Sequence, residues 1–277
     1  MIAMTSEWNT ETLDLDAYLR RIGHARVTAS VDALRSLHSA HVRAIPFENV
    51  DVILGTHPGI ELDAIQAKVV ARQRGGYCYE HALLFAAALE RLGFGVQRRV
   101  ARVQPHKSGP RTHMLLLVRV DGQEFLADVG FGAGQLFPTP LKDGAIVNQA
   151  GWDHRLTVDG NVWTLSKKSP EGWIPQHAST NEPQRLIDYQ VYHHYVSTHP
   201  NSPFSSKLIV MRLGDGISRR LVGHELTTEY ADGRVEQRVV RPDEVDAVLK
   251  ELDVELSEEE LEHVLGRVFP TQASPCS

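Results

Sequence analysis

The spacing of apolar residues changes once along this chain, near Val96, and that change limits what it can fold into. Before it the apolar residues recur with helical spacing; after it they alternate, as in strands. Leu15, Tyr18, Leu19 and Ile22 form one helical stripe, stopped at Gly23. Ser30 caps a second helix carrying Val31, Leu34, Leu37, His38, His41 and Val42, which Pro46 ends. A third helix is expected from about Asp63 to Arg74, through Ile65, Val69 and Val70. Next comes Arg74-Gly75-Gly76-Tyr77-Cys78-Tyr79-Glu80-His81 and a fourth helix with Leu83, Leu84, Ala87, Ala88 and Leu92 on one stripe. About 95 residues of helix therefore deliver Cys78 on their last member.

Strands are expected at 96–103, 113–120 and 123–129, the last two joined by the hairpin pair Asp121-Gly122. Further strands at 154–158 and 162–166 are joined through Asp159-Gly160, which makes the middle of the chain a small antiparallel barrel or sandwich. A helix carries Leu186, Tyr189, Val191, Tyr192 and Tyr195; strands follow at 207–213, 224–230 and 234–240, then helices at 242–252 and 257–268. Ser257 and Glu260 form a capping box for the last of these.

At 277 residues the length suggests about two domains. A net charge of −6 gives no reason to expect nucleic acid or an anionic membrane as partner, and no apolar run is long enough to span a bilayer. The polar N-terminus does not resemble a signal peptide. Two cysteines, Cys78 and Cys276, are too few for a disulfide framework, so a reducing cytoplasm is expected.

The chemistry centres on Cys78. Two glycines allow a tight backbone turn just before it, and it opens a helix whose unpaired N–H groups and positive dipole end favour a thiolate. A thiolate is a nucleophile, although a structural cysteine opening a buried helix would look the same in isolation. A nucleophile needs a base and the base an orienting acid. If the Asp121-Gly122 turn pairs Val120 with Gln123, facing residues have numbers summing to 243. Asp128 then faces Leu115, and His113 becomes its diagonal neighbour at about 7–8 Å between backbones, within imidazole–carboxylate reach. A slip of one residue would separate them. Gly130 and Gly132, just after Asp128, let backbone approach a ligand closely.

Together, Arg74-Gly75-Gly76-Tyr77-Cys78-Tyr79-Glu80, Ile45-Pro46-Phe47-Glu48-Asn49, Thr112-His113, Asp128-Val129-Gly130-Phe131-Gly132 and Tyr195-Val196-Ser197-Thr198-His199-Pro200-Asn201-Ser202-Pro203-Phe204 resemble the arylamine N-acetyltransferases, in family order across most of the chain. The likeness is to bacterial, actinobacterial-type members. It implies an α+β fold with a cysteine-protease-like catalytic core: a helical domain over 1–95, an antiparallel β-barrel over 96–200, and an α/β lid over 201–277. It implies a Cys78–His113–Asp128 triad and ping-pong transfer from acetyl-CoA, a cosubstrate and not a resident cofactor, to a small aromatic amine or hydrazine. It further implies that the Gly130–Gly132 loop receives the CoA pyrophosphate, with Thr112 and His199 near CoA and Phe131 lining the acceptor pocket. Arg74 and Glu48 fit an ion pair that positions the cysteine turn. Two features depart from the family pattern: Ala82 where many relatives have Asn, and a short segment between Arg102 and His113.

His81, one helical turn from Cys78, is a rival base without an evident orienting acid. The spacings of His38 with His41, and of His193, His194 and His199, lack a clear further ligand, and no metal is expected. A hydrolytic or transglutaminase-like cysteine enzyme would use the same triad, and a binding module would need none of it. Oligomeric state is not legible in these patterns.

Overall fold

Asp14 and Ser30 open the first two long helices through their side chains, which accept the backbone N–H groups of Ala17 and Ala33. The computed structural model describes residues 7–269; Cys276 and the two chain ends lie outside them. The first block holds α1 (Leu15–Arg21), α2 (Val31–Ala44), the short strand β1 (Phe47–Glu48), α3 (Val50–Leu54), α4 (Leu62–Gln66) and α5 (Cys78–Arg91). The helix expected over 63–74 stops early. After α4 the chain widens into one π-turn, Ala67–Ala71, and Gln73 turns left-handed at φ 55°. Lys68 within this turn is buried.

From Gly95 the chain forms β2 (Gly95–Val103), β3 (Arg111–Val120), β4 (Gln123–Ala127), β5 (Thr139–Pro140), β6 (Ile146–Gln149), β7 (Trp152–Asp159), β8 (Val162–Ser169) and β9 (Gly172–Thr180). They make an eight-stranded antiparallel sheet in the order β5-β4-β3-β2-β9-β8-β7-β6, curled into a nearly closed barrel. Ala101, Leu115, Leu126, Leu156 and Leu165 form one buried cluster within it. At the β3–β4 turn both Asp121 and Gly122 have positive φ, 51° and 71°, which matches a two-residue hairpin to the strand twist. The register is Val120 with Gln123 through Leu116 with Ala127, as the turn chemistry required.

The remainder is α6 (Leu186–Thr198), α7 (Pro203–Ser206), β10 (Ile209–Gly214), β11 (Ile217–Val222), β12 (Glu225–Tyr230), β13 (Val235–Val239), α8 (Val245–Glu251) and α9 (Glu258–Val268). The sequence does not predict β1, β5, β6, β9 or β11: β1 and β5 are two residues long, and the other three carry a weak alternating signal. The second sheet runs β1-β10-β11-β12-β13, so a strand from the helical block forms its edge. Val50 and Ile53 of α3 share a core with Leu208, Val210, Leu221, Val248 and Val264. Helix α5 lies between these parts, and every residue from Cys78 to Leu89 is buried, where one apolar stripe was expected. Its Ala-rich sequence permits this, since small side chains let barrel and helices approach from opposite sides. No helix among the described residues is long and apolar enough to cross a membrane.

Candidate active site

Cys78 is the first residue of α5 and a free, buried thiol. The glycines ahead of it serve close approach and not a left-handed turn. A Cβ on Gly75 would lie 2.2 Å from the Pro46 carbonyl oxygen, and one on Gly76 would lie 2.7 Å from Glu80 Oε2. Gly76 accepts the Glu48 N–H at 2.8 Å and bridges to Phe47, which pins the cysteine turn to β1. Beneath it lies a buried charge cluster. Lys68 Nζ meets Glu80 Oε1 at 3.0 Å and Asp51 Oδ2 at 3.2 Å; Arg74 meets Glu48 at 3.2 Å and Glu260 at 3.1 Å. Glu80 Oε2 in turn accepts the Tyr77 N–H at 3.0 Å, fixing the helix start beside Cys78.

His113, near the start of β3, and Asp128, just past β4, meet as the hairpin register dictates: His113 Nε2 lies 2.7 Å from Asp128 Oδ2. The other ring nitrogen is left for Cys78, whose side chain is close enough to act on the His113 charge. Gly130 donates its N–H to Asp128 Oδ1 at 3.2 Å and packs flat against the Cys78 backbone. Phe131 sets its ring edge-on to His113, centroids 5.1 Å apart. Gly132, at φ +68°, sits so near Met211 of β10 that a Cβ would lie 2.5 Å from its sulfur. The loop is thus wedged between the α5 N-terminus and the second sheet.

Electrostatics follow from this burial. Desolvation alone would lower the His113 pKa, but the Asp128 charge and hydrogen bond, with Cys78 adding to them, hold it up at about 10. Burial alone would raise the Asp128 pKa; His113, followed by His177, outweighs that and keeps the carboxyl well below its usual range. An imidazole paired with a carboxylate can serve a neighbouring thiol as acid or base.

The remaining histidines sort by their bonds. His81 Nε2 faces the carbonyl oxygens of Gly76 and Pro46 at 3.0 and 3.2 Å, so it must donate. His41 Nε2 then donates to His81 Nδ1 at 2.9 Å, and the Tyr18 hydroxyl donates to His41 Nδ1 at 2.8 Å. Both nitrogens of His81 are engaged and burial lowers its pKa to about 4, so it acts as a tie in the cysteine turn. His38 accepts the Asp128 backbone N–H at 3.2 Å and lies 3.0 Å from the Leu136 carbonyl oxygen, positioning the acid from behind. His193 pairs with the Tyr77 hydroxyl. Thr112 accepts the Tyr79 hydroxyl at its carbonyl, which places it beside the site. His199 caps α6 and stacks on Tyr195 at 4.4 Å, with no described bond or ring contact to Cys78, His113 or Asp128.

His177 of β9 was not among the candidates read from the sequence, yet its Nε2 lies 3.3 Å from Asp128 Oδ2. Its strand was not anticipated, so nothing in the sequence tied it to the hairpin. His113, Asp128 and His177 form a cluster with ligand atoms within 4.8 Å of one another among the described residues. The 2.7 Å spacing of His113 and Asp128 is that of a charge-assisted hydrogen bond.

Helices, barrel and second sheet around a buried Cys, His and Asp describe a class of acyl-transferring enzymes. A family model described as N-acetyltransferase matches residues 30–261. The arylamine N-acetyltransferase of Mycolicibacterium smegmatis is 36% identical over 258 residues, 89% of this chain and 94% of that one. The crystal structure of the Nocardia farcinica arylamine N-acetyltransferase superposes with a TM-score of 0.89 at 39% identity, covering 96% of this chain and 98% of that one. The Mycobacterium marinum arylamine N-acetyltransferase, solved in complex with CoA, gives a TM-score of 0.85 at 31% identity over 92% of this chain and 99% of that one. The chain belongs to the arylamine N-acetyltransferase family of acyltransferases.

Proposed function

We propose that the protein transfers an acetyl group from acetyl-CoA to small aromatic amines, hydrazines or related amines through an acetyl-Cys78 intermediate. The observation that carries this is a single imidazole, His113, held between the Asp128 carboxylate and the Cys78 side chain at a helix N-terminus. Cys78 Sγ attacks the thioester carbonyl, and the bond to the CoA sulfur breaks as His113 gives that sulfur a proton. The amine nitrogen then attacks the acetyl-cysteine; His113 takes its proton and Cys78 leaves as thiolate. Asp128 fixes the tautomer and supports the imidazolium.

The Gly130–Phe131–Gly132 loop is the proposed seat of the CoA pyrophosphate, with Thr112 and His199 near CoA and Phe131 at the acceptor pocket. CoA in the M. marinum relative supports the cosubstrate. In this division of labour residues 1–95 bring the nucleophile, 96–200 the base and acid, and 201–277 the lid. A reducing cytoplasm suits a working free thiol.

The test is intact mass after brief mixing with acetyl-CoA and no acceptor, beside Cys78→Ala. One added acetyl group on the wild type alone, lost on adding an arylamine or hydrazine, is expected. No adduct, with acetyl-CoA unconsumed, would refute the transferase and point to a hydrolytic or transglutaminase-like enzyme.

A further inference from the structure

His177 is fully buried, faces the same carboxylate oxygen as His113, and has no place in the mechanism above. Strand pairing explains how it arrives there. Ala101 pairs with His113 on one side and with Ser179 on the other, and Val103 pairs with His177. Directly paired residues share a face, so His113, Ala101, Ser179 and His177 all point to one side of the barrel. Between Leu165 and Ser166 of β8 the partner on β9 jumps from His177 to Pro175, a bulge with Gln176 as the extra residue. Such bulges re-aim a neighbouring side chain. Ala101, between the two imidazoles, has no side chain beyond Cβ to block them, and their centroids stand 5.5 Å apart. Phe131 lies edge-on to both rings, at 5.1 Å from each.

We propose that His177 is a positioning residue for the catalytic carboxylate, a second N–H donor that shares Asp128 Oδ2 with His113 and so sets how tightly His113 holds its proton. This rests on the triad chemistry proposed above. His177 Nε2 stands 3.3 Å from Oδ2, and neither of its ring nitrogens has a hydrogen bond of ordinary geometry. When His113 hands its proton to the departing CoA sulfur, a fully buried carboxylate is left with one fewer cation beside it. A neutral imidazole N–H beside that oxygen compensates without adding charge. Burial, the largest influence, lowers the His177 pKa against the pull of Asp128, which keeps it neutral for this role. The titratable groups around the pair are Cys78 of α5, His113 of β3 and His154 of β7, with His38 of α2 behind Asp128.

Removing this donor returns negative charge to Oδ2 and makes His113 more basic. The experiment compares His177→Phe, which keeps a buried ring without an N–H, and His177→Gln, which keeps an amide N–H. The rate of Cys78 acetylation is followed against pH, and the His113 ring is titrated by NMR in unreacted protein, both with a chelator present. For His177→Phe we expect a fall in rate of roughly tenfold or more. The His113 titration and the alkaline limb of the rate profile should both rise by about half a unit. His177→Gln should lie nearer wild type on both. An unmoved His113 titration in His177→Phe, or Phe and Gln variants that behave alike, overturns the proposal. If His177→Phe does not fold, His177→Leu makes the same comparison. If wild-type protein takes no acetyl group, the function proposal fails by itself, because the NMR titration needs no acetyl-CoA and still decides the role of His177.

Discussion

Gly130 is seated against Cys78 so closely that a Cβ on it would lie 2.9 Å from both the Cα and the carbonyl oxygen of the cysteine. Both are backbone atoms at a helix start and cannot swing aside. Gly130→Ala must therefore push the Asp128 loop away from the thiol. A loss of roughly tenfold or more in the rate of Cys78 acetylation is expected, at a stability cost of about 1–3 kcal/mol. Single-turnover mass spectrometry and denaturant melts measure the two; full activity in Gly130→Ala would mean the loop's approach does not matter.

Asp128→Asn keeps the shape of the acid but removes its charge and turns one oxygen into a donor. His113 then loses the partner that defines its tautomer. Acetylation of Cys78 should slow by roughly 10³–10⁴-fold. Retention of more than a tenth of wild-type rate would show that the imidazole is oriented by something else.

The same pair makes stability depend on pH at both ends. The folded pKa of His113, about 10, lies above the ordinary histidine value of 6.5, so its contribution is fully present below pH 6.5. It is lost progressively as pH rises from there through about 10. Asp128 is shifted the other way: its contribution is present above the ordinary 3.8 and lost as pH falls below it. Urea midpoints for wild type and His113→Gln should converge between about pH 7 and 10. A constant gap across that range would contradict the linkage.

Lys68 is the cation that three buried carboxylates share, with Glu80 at 3.0 Å, Asp51 at 3.2 Å and Glu48 at 3.9 Å. Lys68→Met leaves Glu48 and Asp51 with Arg74, and Glu80 with only His57, and should destabilise the protein by about 3–5 kcal/mol. Burial alone would raise the Glu80 pKa, but Lys68 chiefly, with His57, lowers it from 4.5 to about 2. Its contribution is therefore present above pH 4.5 and lost as pH falls towards 2. Combining Lys68→Met with Glu80→Gln should cost less than the sum of the two alone, as a double-mutant cycle of unfolding energies would reveal.

His81→Asn tests the division between chemistry and scaffolding in the cysteine turn. Its ring ties Gly76 and Pro46 to His41, so a loss of about 1–3 kcal/mol in stability is expected. The pH profile of Cys78 acetylation should keep its wild-type shape. A profile that loses a limb would restore His81 as a participating base.

Much of this protein is written locally. Spacing of apolar residues located α1, α2, α5, the start of α4 and the β2–β4 strands, while the five-residue α3 left no such signal. Asp121-Gly122 favoured a two-residue turn, and that turn set the register that brings His113 to Asp128. Ser257 with Glu260 started the last helix. These signals survive in one dimension because turns, caps and side-chain periods act over a few residues. What the tertiary structure decided are the relationships between distant strands and buried charges. β1 joins the second sheet by pairing with β10, some 160 residues on. Lys68 leaves the surface because three carboxylates from separate segments converge on it. His177 reaches Asp128 only because β9 lies next to β2 and bulges there. Such contacts depend on sheet order and on the balance of desolvation against pairing, and neither leaves a periodic trace in the chain.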